Sequence, residues 1–365
     1  MSFDLKHLRA LIEVAMQNNA SDVHIREGET PALRIRGGLV PVKSNKDLTT
    51  EDILNLCKVI LKTEDFDRID EITDLDGVFE IEGLCRLRYN FYRYNGKAAI
   101  IIRIVNMKIY SIDELNLSSS VKSIALRKRG LVLVTGATGS GKSTTLAAMI
   151  DYINSKESKH IVTIEDPIEF IHPQKNSRIS QREVGTDTDS YQTGLKAALR
   201  QDPDVILLGE LRDAESISTA LKASETGHLV LATLHTTDVI ATIGRILSMF
   251  SPDEQDDVRK RLADSLFATI SQRMLKSKKS KTGIIIAQEI MVTSPGIKEC
   301  IRGEEALERI YNIIEKGGTN DLGIKCQSFD QHVYKLFKKD LITESEAKKS
   351  VRSQNDFLQK QLIVD

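Results

Sequence analysis

Apolar positions along this chain alternate between two periods, and the switches between them outline its elements. Near the start, Leu5, Leu8, Leu11, Ile12 and Ala15 recur at helical spacing between Lys6, Arg9 and Glu13. That pattern predicts an amphipathic helix rather than a signal peptide. Residues 21–26 and 32–36 read as strands, with a tight turn at Gly37-Gly38. A helix is expected over 50–62 with Thr50 as its N-cap, then strands over 78–81, 85–94 and 98–105 divided by Gly83 and Asn95-Gly96. The serine-bearing stretch 107–120 reads as a linker. Beyond it, short apolar runs at 131–134, 160–164, 205–208 and 229–234 alternate with helical patterns at 143–153, 190–200 and 214–225. Ser251-Pro252-Asp253-Glu254 is a capping box with proline at the first helical position, opening a helix expected to reach Met274. A strand at 283–292 and helices at 304–315, 329–337 and 344–352 complete the pattern.

Strands alternating with helices imply an α/β protein. The expected division is a small α+β domain, 1–108, followed by 109–365, an α/β domain with a helical C-terminal region. A length of 365 residues and an apolar share of 41% support cores of that size. The formal net charge of −1 gives no whole-chain argument for nucleic acid or an anionic membrane. The basic turn at 276–281 has no interleaved aromatics and reads as a solvated loop. Four scattered cysteines, Cys57, Cys85, Cys300 and Cys326, suit a reducing compartment better than a disulfide framework or zinc site. No apolar run approaches the roughly 18 residues that span a bilayer.

The chemistry concentrates where strands end. Gly136-Ala137-Thr138-Gly139-Ser140-Gly141-Lys142-Ser143 follows one apolar run, opens a helix and fits G-x-x-x-x-G-K-[ST], with Thr144 next. Glycines there let backbone N–H groups turn toward phosphate, and the helix N-terminus adds positive potential. Lys142 is placed to reach the β- and γ-phosphates of a nucleotide, and the Ser143 hydroxyl to ligate Mg²⁺. The strand at 160–164 ends in Glu165, Asp166 and Glu169, placed to hold a water or a metal. The strand at 205–208 ends in Gly209-Glu210, a candidate Mg²⁺-holding acid beside the phosphate loop. His228 and His235 bracket the strand between them, roughly 23 Å apart if it is continuous, too far to share a metal. His235 leaves at the carboxyl end and is the better candidate for phosphate or water; His228 reads equally as structural. In the first domain Arg86, Arg88, Arg93 and Arg103 alternate with apolar residues, as one wet sheet face or as groups facing phosphate bound elsewhere.

GATGSGKSTTLAAMIDYIN, IVTIEDPIEF, QREVG, DPDVILLGELRD and ETGHLVLATLHTTD occur in this order and spacing, and an early SDVHI precedes them. Together they resemble the type IV pilus retraction ATPases, the PilT/PilU branch of the secretion ATPase superfamily. The resemblance implies an N-terminal PAS-like domain, a RecA-like ATPase domain and a homohexamer in the cytoplasm, docked at the inner membrane on a pilus platform protein, with room for a paralogous retraction ATPase as partner. ATP and Mg²⁺ are the implied cofactors, with no direct contact to nucleic acid. Lys142 and Ser143 fall on the Walker A positions, Glu210 on the Walker B acid, and His228 and His235 on the His box. Glu165, Asp166 and Glu169 fall in the Asp box, where Glu169 matches the base that activates water. Arg88 and Arg103 match arginines expected to approach the nucleotide.

Two departures bear on the branch. Extension and type II secretion ATPases usually carry a tetracysteine zinc insert, and 251–281 contains no cysteine, which favours retraction. The AIRNLIRE-like segment of retraction enzymes is only partly kept, as Gly296-Ile297-Lys298-Glu299-Cys300-Ile301-Arg302-Gly303. Ile297, Cys300 and Ile301 are expected to dock while Lys298, Glu299 and Arg302 point away. The phosphate loop, REVGTDTDSY and SFDQ lean towards the PilU-like accessory branch. Alternatives are an assembly or secretion ATPase, a nucleotide-binding subunit needing a partner ATPase, and a nucleic-acid translocase.

Overall fold

A computed structural model describes residues 3–35, 37–43, 47–105, 108–280, 283–352 and 357. The chain divides into two compact units, residues 1–108 and 109–365.

In the first unit, α1 (Leu5–Gln17) precedes β1 (Asp22–Arg26), β2 (Ala32–Ile35) and β3 (Gly38–Pro41). Then come α2 (Thr50–Ile60), the single turn α3 (Thr63–Phe66), β4 (Asp74–Ile81), β5 (Cys85–Tyr94) and β6 (Lys97–Val105). The strands form one antiparallel sheet in the order β3-β2-β1-β6-β5-β4. Leu8 and Ile12 of α1, Ile53 and Leu56 of α2, and Leu87, Phe91 and Ile100 of the sheet make its core. Two details differ from the sequence pattern. Gly38 opens a strand instead of ending a turn, and the cap of α2 is Thr49, whose side chain accepts from the Asp52 N–H while Asp52 answers the Thr49 N–H. The second of two adjacent threonines looked equivalent; the reciprocal pairing needs a carboxylate three residues on, which selects Thr49. Along β5 the burial alternates from Cys85 to Phe91, which puts Arg86 and Arg88 on the wetter face with Arg103 paired beside Arg88, whereas Arg93 falls on the face of Phe91 and does not join them. Arg93 donates to the carbonyls of Ile69 and Ile72, and Arg103 pairs with Asp22 at 2.8 Å.

In the second unit the 107–120 stretch is not a free linker. Met107 lies outside the described residues, but Ile112 and Leu117 are buried and the Ser118 N–H donates to Gln288 Oε1 at 3.0 Å. Two spaced apolar side chains suffice to dock a serine-rich segment. After α4 (Ser120–Ala125) come β7 (Gly130–Thr135), α5 (Lys142–Lys156), β8 (His160–Glu165), β9 (Arg178–Glu183), α6 (Tyr191–Ala198) and β10 (Val205–Leu208). Then follow α7 (Ala214–Glu225), β11 (Leu229–Leu234), α8 (Val239–Ser248), α9 (Pro252–Ser265), β12 (Leu266–Lys276) and β13 (Ile284–Val292). The chain continues through α10 (Pro295–Arg302), α11 (Arg309–Glu315), α12 (Phe329–Lys338) and α13 (Glu344–Ser350). The sheet order is β13-β12-β7-β11-β10-β8-β9, parallel throughout except for β13. β7 is therefore interior. From it the chain runs out to β8 and β9, returns through β10 and β11, and crosses β7 to reach β12. The carboxyl ends of β7, β8, β10 and β11 consequently share one edge, the place where open α/β sheets bind ligands.

The helix expected from Ser251 to Met274 ends at Ser265, and Leu266 starts β12 with no Gly or Pro between. An apolar run such as Leu266-Phe267-Ala268 fits either period. Pairing with β7 on one side and β13 on the other decides for strand. The expected 304–315 helix is α11 alone, Gly303 having closed α10 in the left-handed region. Lys278 and Lys279 of the basic turn pair with Asp340, so that turn is pinned; Lys281 lies outside the described residues. On α10 the apolar side docks as expected, but Lys298 and Arg302 both reach Asp264 on α9 instead of pointing freely outward. All four cysteines are free and buried. Among the described residues no helix is long and apolar enough to cross a membrane.

Leu231 is fully buried in the centre of β11. Replacing it with Ala is expected to cost about 2–5 kcal/mol by loss of packing and cavity formation. A urea titration following the second unit's fluorescence or circular dichroism checks this; an unchanged midpoint would contradict the assigned core position.

Candidate functional site

β7 is flanked by β11 and β12, and its six residues carry Leu131 to Val134 into a dry core. At its end the chain must turn back into α5 within a crowded space. Gly136 has φ +148, and a Cβ there would lie 2.3 Å from Ser140 Oγ and 2.6 Å from the Gln272 carbonyl oxygen. Gly141 caps α5 with φ +88 and would bring a Cβ to 3.0 Å from both Ile286 Cδ1 and Met274 Cε. Gly136 cannot take a side chain without displacing the loop, and at Gly141 the positive φ strains any other residue. With no side chain capping α5, its first N–H groups face the concave side of the loop. Below it Gln272 donates to Thr145 Oγ1 at 2.7 Å, and Thr135 donates to Ser271 Oγ at 3.0 Å, tying α5 and β7 to β12.

A cleft of about 390 Å³ opens at this loop. Thr138, Gly139, Gly141, Lys142, Ser143 and Thr144 form one wall, while Glu165, Asp166 and Glu169 after β8, Glu210 after β10 and His235 after β11 form the other. Gly136, Ala137 and Ser140 lie behind the wall and shape it. Lys142 is 8% exposed as a residue, and its ammonium donates to the carbonyls of Gly136 (3.0 Å) and Ala137 (3.1 Å) and lies 3.4 Å from His235 Nδ1. Burial draws its pKa below the ordinary lysine value, while Glu210 and Glu169 pull it back up. His235 Nε2 is 3.4 Å from Glu210 Oε1, and Thr138 Oγ1 is 3.5 Å from His235 Nδ1.

The acids are held differently. Glu165 accepts from Thr163 at 2.7 Å and Gln181 at 3.2 Å, and burial pushes its carboxyl above the usual range against those bonds. Glu169 is exposed to the cleft. Glu210 receives Arg212 Nε at 2.8 Å, and Arg212 Nη1 reaches Asp166 at 3.8 Å. Arg212 is a cleft residue that sequence reasoning missed, although its place two residues past the strand-end acid was a usable signal. Phe170 and His172 also line the cleft, and burial pushes the His172 imidazole down to about 4.

The structure does not bring His228 to this cleft. It stands at the amino end of β11, where its Nδ1 lies 2.9 Å from the Ala223 carbonyl and 3.2 Å from Thr226 Oγ1, finishing α7. A strand's length separates it from His235. Arg88 and Arg103 lie on β5 and β6 of the first unit.

A parallel sheet whose central strand feeds a glycine loop, a buried lysine and a helix N-terminus, with acids on neighbouring strand ends, defines a P-loop nucleotide-binding α/β protein. The chain belongs to the family described as type II/IV secretion system protein, whose sequence profile matches residues 3–357. It is 39% identical over 347 residues to the type IV pilus retraction ATPase PilT of Pseudomonas aeruginosa, covering 95% of this chain and 98% of that one. The type IV pilus ATPase PilU of the same organism is 33% identical over 346 residues, 95% of this chain and 89% of its own. A crystal structure of the pilus retraction motor PilT with bound ADP superposes with a TM-score of 0.85 at 38% identity, over 96% of this chain and 98% of the other.

Gly136→Ala is expected to strain the loop by about 1–3 kcal/mol and so weaken nucleotide binding by about tenfold or more. Calorimetric titration with ADP measures it; wild-type affinity in this variant would contradict the close approach described above.

Proposed function

We propose that this chain is a motor ATPase that hydrolyses ATP to ADP and phosphate to power retraction of a type IV pilus. The observation that carries the reading is the convergence of Lys142, Glu210, Glu169 and His235 on one cleft, in a chain that matches a pilus retraction ATPase over 95% of its length. Phosphoryl transfer to water depends mostly on positioning and charge stabilisation. Loop N–H groups from Gly139 to Thr144 receive the phosphates, and Lys142 leaves the Gly136 and Ala137 carbonyls to meet the β- and γ-oxygens. Ser143 and Glu210, both lining the cleft, would hold Mg²⁺. The fit rests on an oxygen-only donor set, since a magnesium ion takes one or two protein oxygens and completes its shell with phosphate and water. Bound there, the ion neutralises charge on the transferring group.

Glu169 is the base. It faces the cleft, whereas Glu165 is engaged by Thr163 and Gln181. His235, between Lys142 and Glu210, reports whether the γ-phosphate position is filled. His228, at the far end of the same strand, retains the family's nucleotide role only if a neighbouring subunit supplies the nucleotide.

The first unit is a PAS-like domain and the second a RecA-like ATPase domain. Six copies form a ring at the cytoplasmic face of the inner membrane and act on the pilus platform protein. In the ring, Arg88 and Arg103 approach transition-state charge, the kind of contact that is worth on the order of 10³–10⁵ in rate. The identity to PilU keeps one second reading alive, an accessory subunit working beside a paralogous retraction ATPase. Steady-state hydrolysis by the purified chain alone separates the two: an isolated motor turns over ATP, an accessory subunit does not.

Lys142→Ala is expected to abolish hydrolysis while the protein stays folded. Glu169→Gln should keep nucleotide binding and lose turnover by about 10²–10⁴-fold, whereas Glu165→Gln should retain most activity. A phosphate-release assay beside calorimetric binding checks all three, and the reverse ranking of Glu165 and Glu169 would transfer the base role. In cells, deletion of the gene should leave many pili and no twitching. Loss of pili would instead indicate an assembly or secretion ATPase.

A further inference from the structure

The turn leaving β11 is secured at its far end as firmly as at the cleft. Past His235, Thr236 Oγ1 and Thr242 Oγ1 share a hydrogen bond of 2.6 Å, and Asp238 caps α8 by accepting from the Ala241 N–H at 2.9 Å. The next N–H, of Val239, donates to Glu289 Oε1 at 3.1 Å. Glu289 comes from β13, 50 residues further along, and is 4% exposed. Helices leave their first N–H groups without intrahelical partners, and this one is buried, so the acceptor must come from elsewhere in the fold.

Glu289 also belongs to a cluster that the phosphate site does not use. Around a void of about 20 Å³ it meets Asp238 from the head of α8, Arg273 from β12, Tyr311 and Glu315 from α11, Asp330 from α12 and Arg352 beyond α13. Tyr311 shares a side-chain hydrogen bond with Asp238. The Arg273 guanidinium lies 3.9 Å over Phe329, and that of Arg352 lies 3.8 Å over Tyr311. The Arg352 N–H donates to both oxygens of Asp330, at 3.0 and 3.2 Å. Helices α11 and α12 and the segment after α13 thus each place a group in a network whose inner end is an amide four residues past His235.

We infer that Glu289 is a positioning residue for His235, clamping the turn that carries it through the Val239 amide, and that its cluster passes nucleotide-dependent movement of that turn to α11 and α12. The inference rests on reading the cleft as an ATP site. Displacement of the turn at His235 then pulls on Glu289 and on the groups that α11 and α12 place beside it. A carboxylate serves because it accepts from Val239 while facing two guanidinium groups. Burial pushes the Glu289 carboxyl up to about 7, with Asp238 adding to the rise and the Val239 N–H, Arg273 and Arg352 opposing it. The folded state therefore binds this proton more tightly than the unfolded chain. That contribution to stability is present in full below the usual carboxylate range and is lost as pH rises through about 7.

Hydrogen–deuterium exchange on the full chain, with and without Mg²⁺ and ADP, tests the clamp. In the wild type ADP should slow exchange at 139–146, at 236–242, and in α11 and α12. In Glu289→Met the slowing at 139–146 should survive, while that in α11 and α12 falls about fivefold or more. Glu289→Gln, which still accepts from Val239, should restore it. Glu289→Met should also lower kcat with KM within about twofold, and Glu289→Gln should flatten the pH dependence of the unfolding midpoint between about pH 5 and 8. Full ADP protection of α11 and α12 in a folded Glu289→Met variant overturns the inference. So does a wild type in which ADP leaves those helices unchanged, which decides the matter even if Glu289→Met does not fold. Absence of ADP protection at 139–146 in the wild type would instead overturn the ATP-site reading itself.

Discussion

A carbonyl oxygen stands where Gly136 would carry a side chain. The Gln272 oxygen is 2.6 Å from that Cβ position, so β12 sets the floor over which the phosphate loop must pass. The loop cannot sink further, and its return through Gly141 is bounded by Ile286 and Met274 from β13 and β12. Its concavity is therefore fixed by sheet pairing, with β7 hydrogen-bonded on both sides. That is what permits a row of N–H groups to remain aimed at one point. A nest of donors binds an oxyanion well only if it does not have to reorganise to do so.

Charge follows from the same constraint. Lys142 is buried by the loop it opens from, and a buried ammonium needs partners. It has two carbonyls now, and the carboxylates of Glu210 and Glu169 lie near enough to oppose the loss of hydration. On the function proposed above, a phosphate entering the nest offers more charge than the carbonyls and takes the lysine from them. His235 sits between Lys142 and Glu210 and must accommodate that exchange. The cleft is thus an electrostatic balance in which moving one cation disturbs a histidine and a carboxylate on two other strands.

The parts of this arrangement that are local in sequence were readable. Runs of four to six apolar residues bounded by glycine, proline or acids gave β7, β8, β10 and β11, and the resemblance tied their ends together. The parts that depend on distant pairing were not. β9 has a single buried aliphatic side chain, Ile179, and becomes a strand because β8 is beside it. β12 reads as the tail of a helix until β7 and β13 are both present. α8 was legible and passed over: Asp238 caps it, and Val239, Ile243, Ile246 and Leu247 have helical spacing and are buried. His228 shows the opposite limit. Its neighbour in the family pattern, His235, reaches the cleft, but a fully extended β11 carries the two to opposite edges of the sheet, as their spacing required.

The β12–β13 hairpin changes how the C-terminal third is to be understood. Within one antiparallel register it supplies the Gln272 carbonyl under Gly136, the Gln272 amide on Thr145 and the Ser271 hydroxyl on Thr135. Ser271 is paired across the ladder with Glu289, which holds the amide of Val239. The phosphate loop after β7, the first turn of α5 and the turn after β11 therefore all rest on one hairpin. That hairpin also carries α12 and α13 on its other contacts, through Leu275, Ile285 and Ala287 packed with Phe329, Val333 and Ala347. A sheet edge rigid enough to shape a phosphate loop is rigid enough to transmit what happens there. The helical C-terminal region is attached to the same hairpin that shapes the phosphate loop.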